Sequence, residues 1–237
     1  MRAFAVACAL AVPSAAVAGP TPYGWLPATE LTGADRVEGA GWIYERDDRG
    51  DLHERATVLG GAPTFGLTDR LELRVPFELV ARSAVEELPH FGLARFGGDL
   101  RYRFTRPTAG LAPVVRIALI RDVEIRSLIR SELGVALGFS QGIVDVEAAG
   151  DFVVEVNRSS VHEELHPGLG ASVRATRALR VGGELYGEVS LDELASTWLA
   201  IGPNLSARLG RSWFSSTFGI GLRGITFAPR INWGLSW

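Results

Sequence analysis

The sequence predicts an all-β fold, a transmembrane antiparallel up-and-down β-barrel of about 12 strands with both termini in the periplasm. Three observations lead to this prediction. Apolar and polar side chains alternate in segments of about ten residues, as in strands that have one lipid-facing side. The connectors between these segments alternate between short and long, and the chain ends on an aromatic residue, Trp237.

The first residues have the pattern of a secretory signal peptide. Arg2 precedes an apolar run from Ala3 to Pro13, and the small-x-small sequence Ala16-Val17-Ala18 follows. We therefore expect residues 1–18 to be removed after export by the general secretory route. Residues 19–34, which contain Trp25 and three prolines, are expected to form an N-terminal periplasmic segment or a plug in the lumen. Residues 35–237 are expected to form the outer-membrane barrel.

The composition excludes several kinds of site. The one cysteine, Cys8, lies in the expected signal peptide, so the mature chain offers no disulfide, thiolate metal site or cysteine nucleophile. All 24 positive charges are arginine, and the net charge of −3 becomes −4 without Arg2. This balance lacks the basic surface of a nucleic-acid-binding protein. We expect no cofactor and no metal, and no segment has the roughly 18 consecutive apolar residues of a transmembrane helix.

The period-two alternation is clearest in the segments that begin at Leu71 and Glu132. In the first, apolar residues from Leu71 to Leu79 alternate with Glu72, Arg74, Pro76 and Glu78. The same pattern predicts an outward position for Ala94 and Phe96 and an inward one for Arg95. A soluble β-sandwich also alternates, but its polar face is usually rich in Thr, Ser and Lys. Arg, Glu, Asp and Gly opposite an uncharged face favour lipid, where a midplane arginine costs about 2–4 kcal/mol.

The connectors predict which end of the barrel faces which side of the membrane. Short turns are expected near residues 68–70, 105–110, 141–142, 176–178 and 208–211, and longer links near 46–51, 83–90, 121–126, 157–163, 192–196 and 223–224. Short periplasmic turns and longer extracellular loops are typical of outer-membrane barrels. Aromatic residues at the strand ends are expected to form two interfacial girdles: Phe65, Phe104, Phe139 and Trp237 at one end, and Phe91, Trp198 and Phe227 at the other.

The final strand resembles the C-terminal signal by which outer-membrane barrels are recognised by the barrel-insertion machinery. Its apolar positions alternate and end on an aromatic carboxy terminus, with Trp233, Leu235 and Trp237 last. The stretch Phe65-Gly66-Leu67-Thr68-Asp69-Arg70-Leu71-Glu72-Leu73, followed by Val75-Pro76, is similar to a turn and strand of outer-membrane transporters of the phenol-degradation meta-pathway type. That family has tyrosine where Phe65 stands here. The resemblance implies an outer-membrane pore and names no solute.

Catalytic chemistry finds little support in the sequence. Gly138-Phe139-Ser140-Gln141-Gly142 matches the G-x-S-x-G elbow of hydrolases, but residues 143–156 alternate as a strand where that motif needs a helix. The four histidines, His53, His90, His162 and His166, are expected to be solvated loop residues. Candidates for an enzyme at the barrel rim are Ser159, Ser160, His162 and Asp192, whose spacing matches no catalytic motif. We therefore expect no catalytic residues.

Charged side chains on the inward face are the candidate functional residues. The basic ones are Arg74, Arg101, Arg103 and Arg116, and the acidic ones are Asp145, Glu147, Asp151, Glu155, Glu184 and Glu188. Two arrangements are open: a wall of arginines that faces a wall of carboxylates across a water-filled pore, or ion pairs that fill the lumen.

The leading hypothesis is an outer-membrane channel for passive passage of small solutes through a narrow charged lumen. A hydrophobic-solute channel is a variant that needs a lateral opening or an N-terminal plug. The alternatives are a non-conducting structural barrel and, less favoured, an outer-membrane rim enzyme that hydrolyses lipid or peptide. Expected partners are outer-membrane lipid and lipopolysaccharide, the barrel-insertion machinery and small solutes.

Overall fold

The computed structural model describes residues 22–47, 55–83, 90–108, 110–123 and 127–237. The expected signal peptide and His53 lie outside these ranges, and the side chains of His90 and Phe91 are not described. The strands are β1 Val37–Asp47, β2 Arg55–Thr68, β3 Leu71–Arg74, β4 Phe77–Ser83, β5 His90–Arg103, β6 Leu111–Asp122, β7 Ile129–Gln141, β8 Val144–Val156, β9 Val161–Arg174, β10 Leu179–Ser190, β11 Trp198–Leu209, β12 Ser212–Arg223 and β13 Phe227–Ser236. One short 3₁₀ helix, Leu194–Ser196, precedes β11.

These strands close into an antiparallel barrel. Strand β1 pairs with β2 on one side and with β13 on the other, so the sheet has no free edge. Strands β3 and β4 both pair with β2 and β5 and are two parts of one strand. The wall therefore has twelve strands, which confirms the predicted fold class. No helix in the described ranges has the length and hydropathy needed to cross a membrane.

The interruption between β3 and β4 lies at Val75 and Pro76. Proline has no N–H to donate to a neighbouring strand, so it interrupts the ladder. Backbone hydrogen bonds on both sides keep the wall joined: the Val75 N–H donates to the Pro63 carbonyl at 3.0 Å, and the Gly97 N–H donates to the Pro76 carbonyl at 2.9 Å. The barrel stays closed at this point.

The two faces of the wall have the predicted chemistry. In β7, Leu133 and Val135 are 57% and 60% exposed and point outward, whereas Glu132 and Ala136 are buried on the lumen side. Ala94 is an exception, since it points inward and its neighbour Leu93 points outward. The predicted outward position of Ala94 is wrong because a register shift in the pairing of β4 with β5 reverses the alternation there.

The predicted alternation of connector lengths is found only in part. Two-residue turns at 69–70, 142–143 and 210–211 lie at one end, but residues 104–110 at that end form a connector as long as 191–197 at the other. The two ends are called the short-turn end and the long-loop end below. The turn from β7 to β8 is a tight hairpin with Gly142 at φ 64°. The G-x-S-x-G sequence is therefore a hairpin turn, with no helix after it. Phe65, Phe104, Phe139, Trp237 and Phe227 are exposed at strand ends as predicted for girdle residues. Trp198 is not a girdle residue, because it is 4% exposed and packs inside the lumen.

Candidate functional site in the barrel lumen

Residues 22–33 lie inside the barrel, and this stretch is called the lumenal segment below. It precedes β1 at the short-turn end and contacts inward-facing side chains on several strands. Tyr23, Trp25 and Leu26 are 1%, 9% and 3% exposed, which is a core-like environment for large side chains. In a water-filled lumen these three side chains would be exposed. Because they are buried, the segment and the wall form one packed unit.

The backbone of the lumenal segment is held by carboxylates of the wall. Oε1 of Glu184 accepts the N–H groups of Gly24 and Trp25 at 3.2 and 3.0 Å. Oε2 of Glu72 accepts the Thr32 N–H at 2.7 Å. Because an irregular chain in a lumen has no strand to pair with, these carboxylates replace the ladder partners that its N–H groups lack.

Further contacts tie the side chains and carbonyls of the segment to the wall. The Thr29 hydroxyl donates to Oε2 of Glu147 at 3.0 Å. The amide of Asn232 donates to the Gly24 carbonyl at 2.8 Å, and the guanidinium of Arg101 donates to the Ala28 carbonyl. The wall thus supplies acceptors to the N–H groups of the segment and donors to its carbonyls.

Trp25 anchors the lumenal segment toward the long-loop end. Its ring lies 5.0 Å from Tyr186 in a stacked geometry, 5.3 Å from Tyr44 and 5.6 Å from Trp198. The guanidinium carbon of Arg230 is 4.9 Å from the centre of the same ring. Aromatic pairs and a cation over the ring each add about 0.5–1.5 kcal/mol beyond simple burial. The Trp25 Nε1–H donates to the Ala228 carbonyl at 3.2 Å.

Small residues of the wall make room for the segment. A Cβ at Gly138 would lie 3.0 Å from the Thr29 Cβ, and a Cβ at Gly170 would lie 2.4 Å from the Tyr23 ring. Larger side chains at these two positions would therefore push the segment away. Several glycines on the inward face of the predicted strands thus correspond to the path of the lumenal segment.

A cavity of about 480 Å³ occupies the lumen beside the lumenal segment. Its wall includes residues of most strands and residues of the segment from Gly24 to Thr32. The ionisable side chains that line it are Glu30, Glu38, Tyr44, Glu72, Arg74, Glu78, Arg95, Asp99, Arg101, Arg116, Arg130, Glu132, Asp151, Glu155, His162, Glu164, His166, Tyr186, Glu188 and Arg230. The cavity is a strongly charged compartment, with acidic and basic groups mixed.

Arg116 connects three strands across the cavity wall. Its guanidinium lies 3.0 Å from Asp99 on β5, 2.6 Å from Glu132 on β7 and 3.4 Å from Asp151 on β8. Arg74 lies 3.9 Å from the same Asp99. The three carboxylates neutralise the positive charge of the guanidinium. This side of the cavity therefore carries ion pairs and little unpaired positive charge.

A second group of ion pairs lies toward the long-loop end. Arg130 pairs with Glu155 at 3.1 Å and with Glu132 on its own strand. Arg95 lies 3.5 Å from Asp122 and 3.8 Å from Glu155. Glu155 therefore joins arginines on two different strands, and the charges pair mostly between neighbouring strands.

The structure divides the ten predicted pore-lining residues into two groups. Six line the cavity: Arg74, Arg101, Arg116, Asp151, Glu155 and Glu188. The other four lie elsewhere in the lumen. Glu147 and Glu184 bind the lumenal segment, Asp145 forms an ion pair with Arg180, and Arg103 donates to Thr105 and to the Pro107 carbonyl at the short-turn end.

Sequence reasoning missed several cavity residues that the same alternation contains. Glu72, Asp99, Arg130 and Glu132 occupy inward positions and pair with the predicted residues Arg101, Arg74, Glu155 and Arg116 respectively. The alternation along each strand predicts that these residues face inward. Which arginine pairs with which carboxylate on the adjacent strand depends on the strand register.

The histidines at the long-loop end differ from the prediction of solvated loop residues. His166 is 5% exposed on the inward face of β9, and His162 is partly buried on the same face. Nδ1 of His162 lies 2.9 Å from Asp192, as in a catalytic Asp–His pair, but its Nε2 faces Glu164 at 3.1 Å. The Ser159 hydroxyl donates to Asn157 at 3.1 Å. These contacts give the histidine no serine nucleophile.

Solved structures of outer-membrane barrels resemble this chain. An outer-membrane channel from Pseudomonas putida F1 aligns with a TM-score of 0.58 and 14% identity, over 92% of this chain and 99% of that one. The NanC porin aligns with a TM-score of 0.58 and 7% identity, over 84% of this chain and 98% of that one. The KdgM porin, solved in complex with disordered oligogalacturonate, aligns with a TM-score of 0.55 and 9% identity, over 85% and 99%.

At these identities the likeness shows the fold, which is that of outer-membrane β-barrel channels and porins. No protein-family model matches the chain, and no curated protein matches its sequence.

Proposed function

We propose that the protein is an outer-membrane channel through which small hydrated solutes diffuse, and that the lumenal segment narrows the path. The observation that carries this proposal is the 480 Å³ cavity inside a closed barrel, lined by acidic and basic groups that pair mostly between neighbouring strands. A barrel of twelve strands lies between those filled by side chains and those with an open channel. A charged cavity of this size suits small polar solutes.

The mixed lining favours solutes that carry both kinds of charge or a strong dipole. Arg116 and the carboxylates around it present donors and acceptors within a few ångströms of one another. Fields from such paired groups orient dipolar solutes and favour hydrated ones over apolar ones. The lining therefore gives no advantage to a purely hydrophobic solute.

The lumenal segment supplies the gate in this proposal. It is held by separate hydrogen bonds to carboxylates and amides and by the ring contacts of Trp25. When the segment moves, water can take over the hydrogen bonds, and the Trp25 ring loses its contacts. A non-conducting structural barrel is the second candidate, because the same contacts would favour a permanently filled lumen. The two differ in whether the segment leaves its place.

The outward face supports the other expected partners. Its uncharged positions, such as Leu133 and Val135, suit the lipid and lipopolysaccharide of an outer membrane. Trp233, Leu235 and Trp237 are exposed along the outer face of the last strand, as expected of a signal for the insertion machinery. The resemblance to phenol-degradation transporters stays a prediction.

Single-channel recording in planar bilayers tests the proposal. The refolded chain from residue 19 is compared with a variant that lacks residues 22–33, and heat-modifiable migration verifies that both barrels are folded. We expect small discrete openings from the complete chain and several-fold larger ones from the deletion variant. Folded barrels that both stay silent would favour the structural role, and equal conductance in both would remove the segment from the gating proposal.

A further inference from the structure

One cluster in the cavity has the composition of a metal site. Glu164 and His166 lie two residues apart on β9, so both face the lumen. Glu188 lies on the neighbouring strand β10, between the pairs Tyr186–Gly168 and Val189–Leu165, and is therefore level with His166. One ligand atom from each of these three side chains lies within 4.8 Å of the others.

We propose that Glu164, His166 and Glu188 bind a divalent transition-metal cation of the zinc class. One imidazole and two carboxylates are ligands that Zn²⁺ accepts, and three protein ligands leave a fourth position for water or solute. Ligand atoms around one tetrahedral Zn²⁺ are about 3.4 Å apart. The ligand atoms of the three side chains, all within 4.8 Å of one another, lie in the range of that spacing.

Each of the three side chains is held by a neighbour outside the cluster. The Tyr186 hydroxyl lies 3.3 Å from Nδ1 of His166, which turns Nε2 toward Glu164. The Trp198 Nε1–H donates to Oε2 of Glu188 at 2.9 Å. His162 contacts Oε1 of Glu164 at 3.1 Å. Such outer contacts orient metal ligands and are typical of functional metal sites.

The electrostatics of the cluster favour a cation. Two carboxylates lie within reach of one imidazole, and the guanidinium of Arg130 forms its ion pairs with Glu132 and Glu155, outside the cluster. His166 is 5% exposed, while both glutamates are half-buried and line the cavity. A cation can therefore enter from the cavity and meet ligands that the fold has placed together.

This site is independent of whether the lumen conducts. Binding of a divalent cation at the long-loop end of the barrel can be measured on the folded protein without a membrane.

Titration of the folded chain in detergent with Zn²⁺ tests the site, with binding measured by calorimetry and by competition with a chromogenic zinc indicator. We expect one saturable site that millimolar Mg²⁺ does not displace. His166→Ala and Glu188→Gln should each weaken binding at least tenfold. Glu163→Gln is the matched control, because it removes the same charge one residue away on the other face of β9 and should bind like the unchanged chain.

Two results would overturn the proposal. One is the lack of saturable Zn²⁺ binding by the folded unchanged protein. The other is equal binding by the control and by whichever of the two ligand variants folds, with folding verified by heat-modifiable migration.

Discussion

The short-turn half and the long-loop half of the lumen use the same kind of side chain in opposite ways. Glu147, near the short-turn end, and Glu184 accept hydrogen bonds from the lumenal segment and do not line the cavity. Toward the long-loop end, Asp151 and Glu155 pair with arginines around a cavity. An inward carboxylate thus binds the segment, an arginine or, as Glu72 does, both, and its neighbours decide which.

The difference shows what inward charge means in a narrow barrel. Counting charges on the inward face predicts a polar lumen but does not separate groups that meet a solute from groups that bind the protein itself. The bonding partner makes the distinction, since Glu147 and Glu184 accept hydrogen bonds from the lumenal segment. Asp151 and Glu155 instead pair with arginines beside the cavity. Only residues on the cavity side are expected to alter selectivity.

The largest effect is expected from Trp25→Ala, which removes the anchor of the lumenal segment. Loss of a buried aromatic ring costs about 3–5 kcal/mol, a factor of at least about 100 in the ratio of docked to undocked segment. We expect long, large openings in single-channel records. Trp233→Ala removes a lipid-facing ring and should leave the conductance unchanged; similar records from the two variants would exclude Trp25 as the anchor.

A smaller effect is expected from Glu184→Gln. The carboxylate accepts two backbone N–H groups of the segment, and a neutral amide oxygen binds them less strongly, by about 1.4 kcal/mol or roughly tenfold in docking. Protease digestion of the segment in the folded barrel should accelerate accordingly. Glu155→Gln, on the cavity side, should leave the digestion rate as it is, and acceleration by both would contradict the division of the lumen.

Arg116→Gln tests the cavity side. The substitution leaves Asp99, Glu132 and Asp151 without their shared guanidinium, so the negative charge in the cavity increases. We expect the cation-to-anion permeability ratio to rise several-fold, measured from reversal potentials in a salt gradient, while digestion of the segment is unchanged. An unaltered ratio would mean that solutes do not pass these residues.

The smallest effect is expected from Arg103→Ser. Arg103 is 4% exposed, bonds to the turn at Thr105 and Pro107 and is not among the residues that line the cavity. Conductance and selectivity should match those of the unchanged protein within error. A selectivity shift as large as that of Arg116→Gln would restore the simpler picture of a continuous arginine wall.

The barrel was predictable because its determinants are local. The alternation in β7 follows from the two-residue period of a strand. The turn at Gly142 follows from the ability of glycine to adopt a positive φ. Ala94 and Trp198 were assigned to the wrong face for physical reasons that are not local. A register shift reverses the alternation near Ala94, and Trp198 is drawn inward by rings from strands and a segment distant in sequence.

The candidate site was predictable only in part. The alternation of inward and outward residues predicts that Arg116 and Glu155 face the lumen, but their ion pairs depend on the register of four strands. The cluster at His166 requires β9 and β10 in their observed pairing, which no spacing in the sequence expresses. The sequence indicates Trp25 as part of a possible plug. It predicts a pore-lining role for Glu147 and Glu184, which in the structure bind the segment.

The most direct test of the divided lumen is a crosslink between the segment and the wall. A Cβ at Gly138 would lie 3.0 Å from the Thr29 Cβ, so a retreat of the segment by about 0.8 Å gives the roughly 3.8 Å of a disulfide. Thr29→Cys with Gly138→Cys should therefore form a disulfide in the folded barrel, and the locked protein should show only small openings until a reductant is added. Thr29→Cys with Leu137→Cys, whose second thiol faces lipid, is the control that should stay unlinked. Failure of the first pair to crosslink under oxidant, with Cys at position 29 fully reactive toward a water-soluble maleimide, would contradict the account.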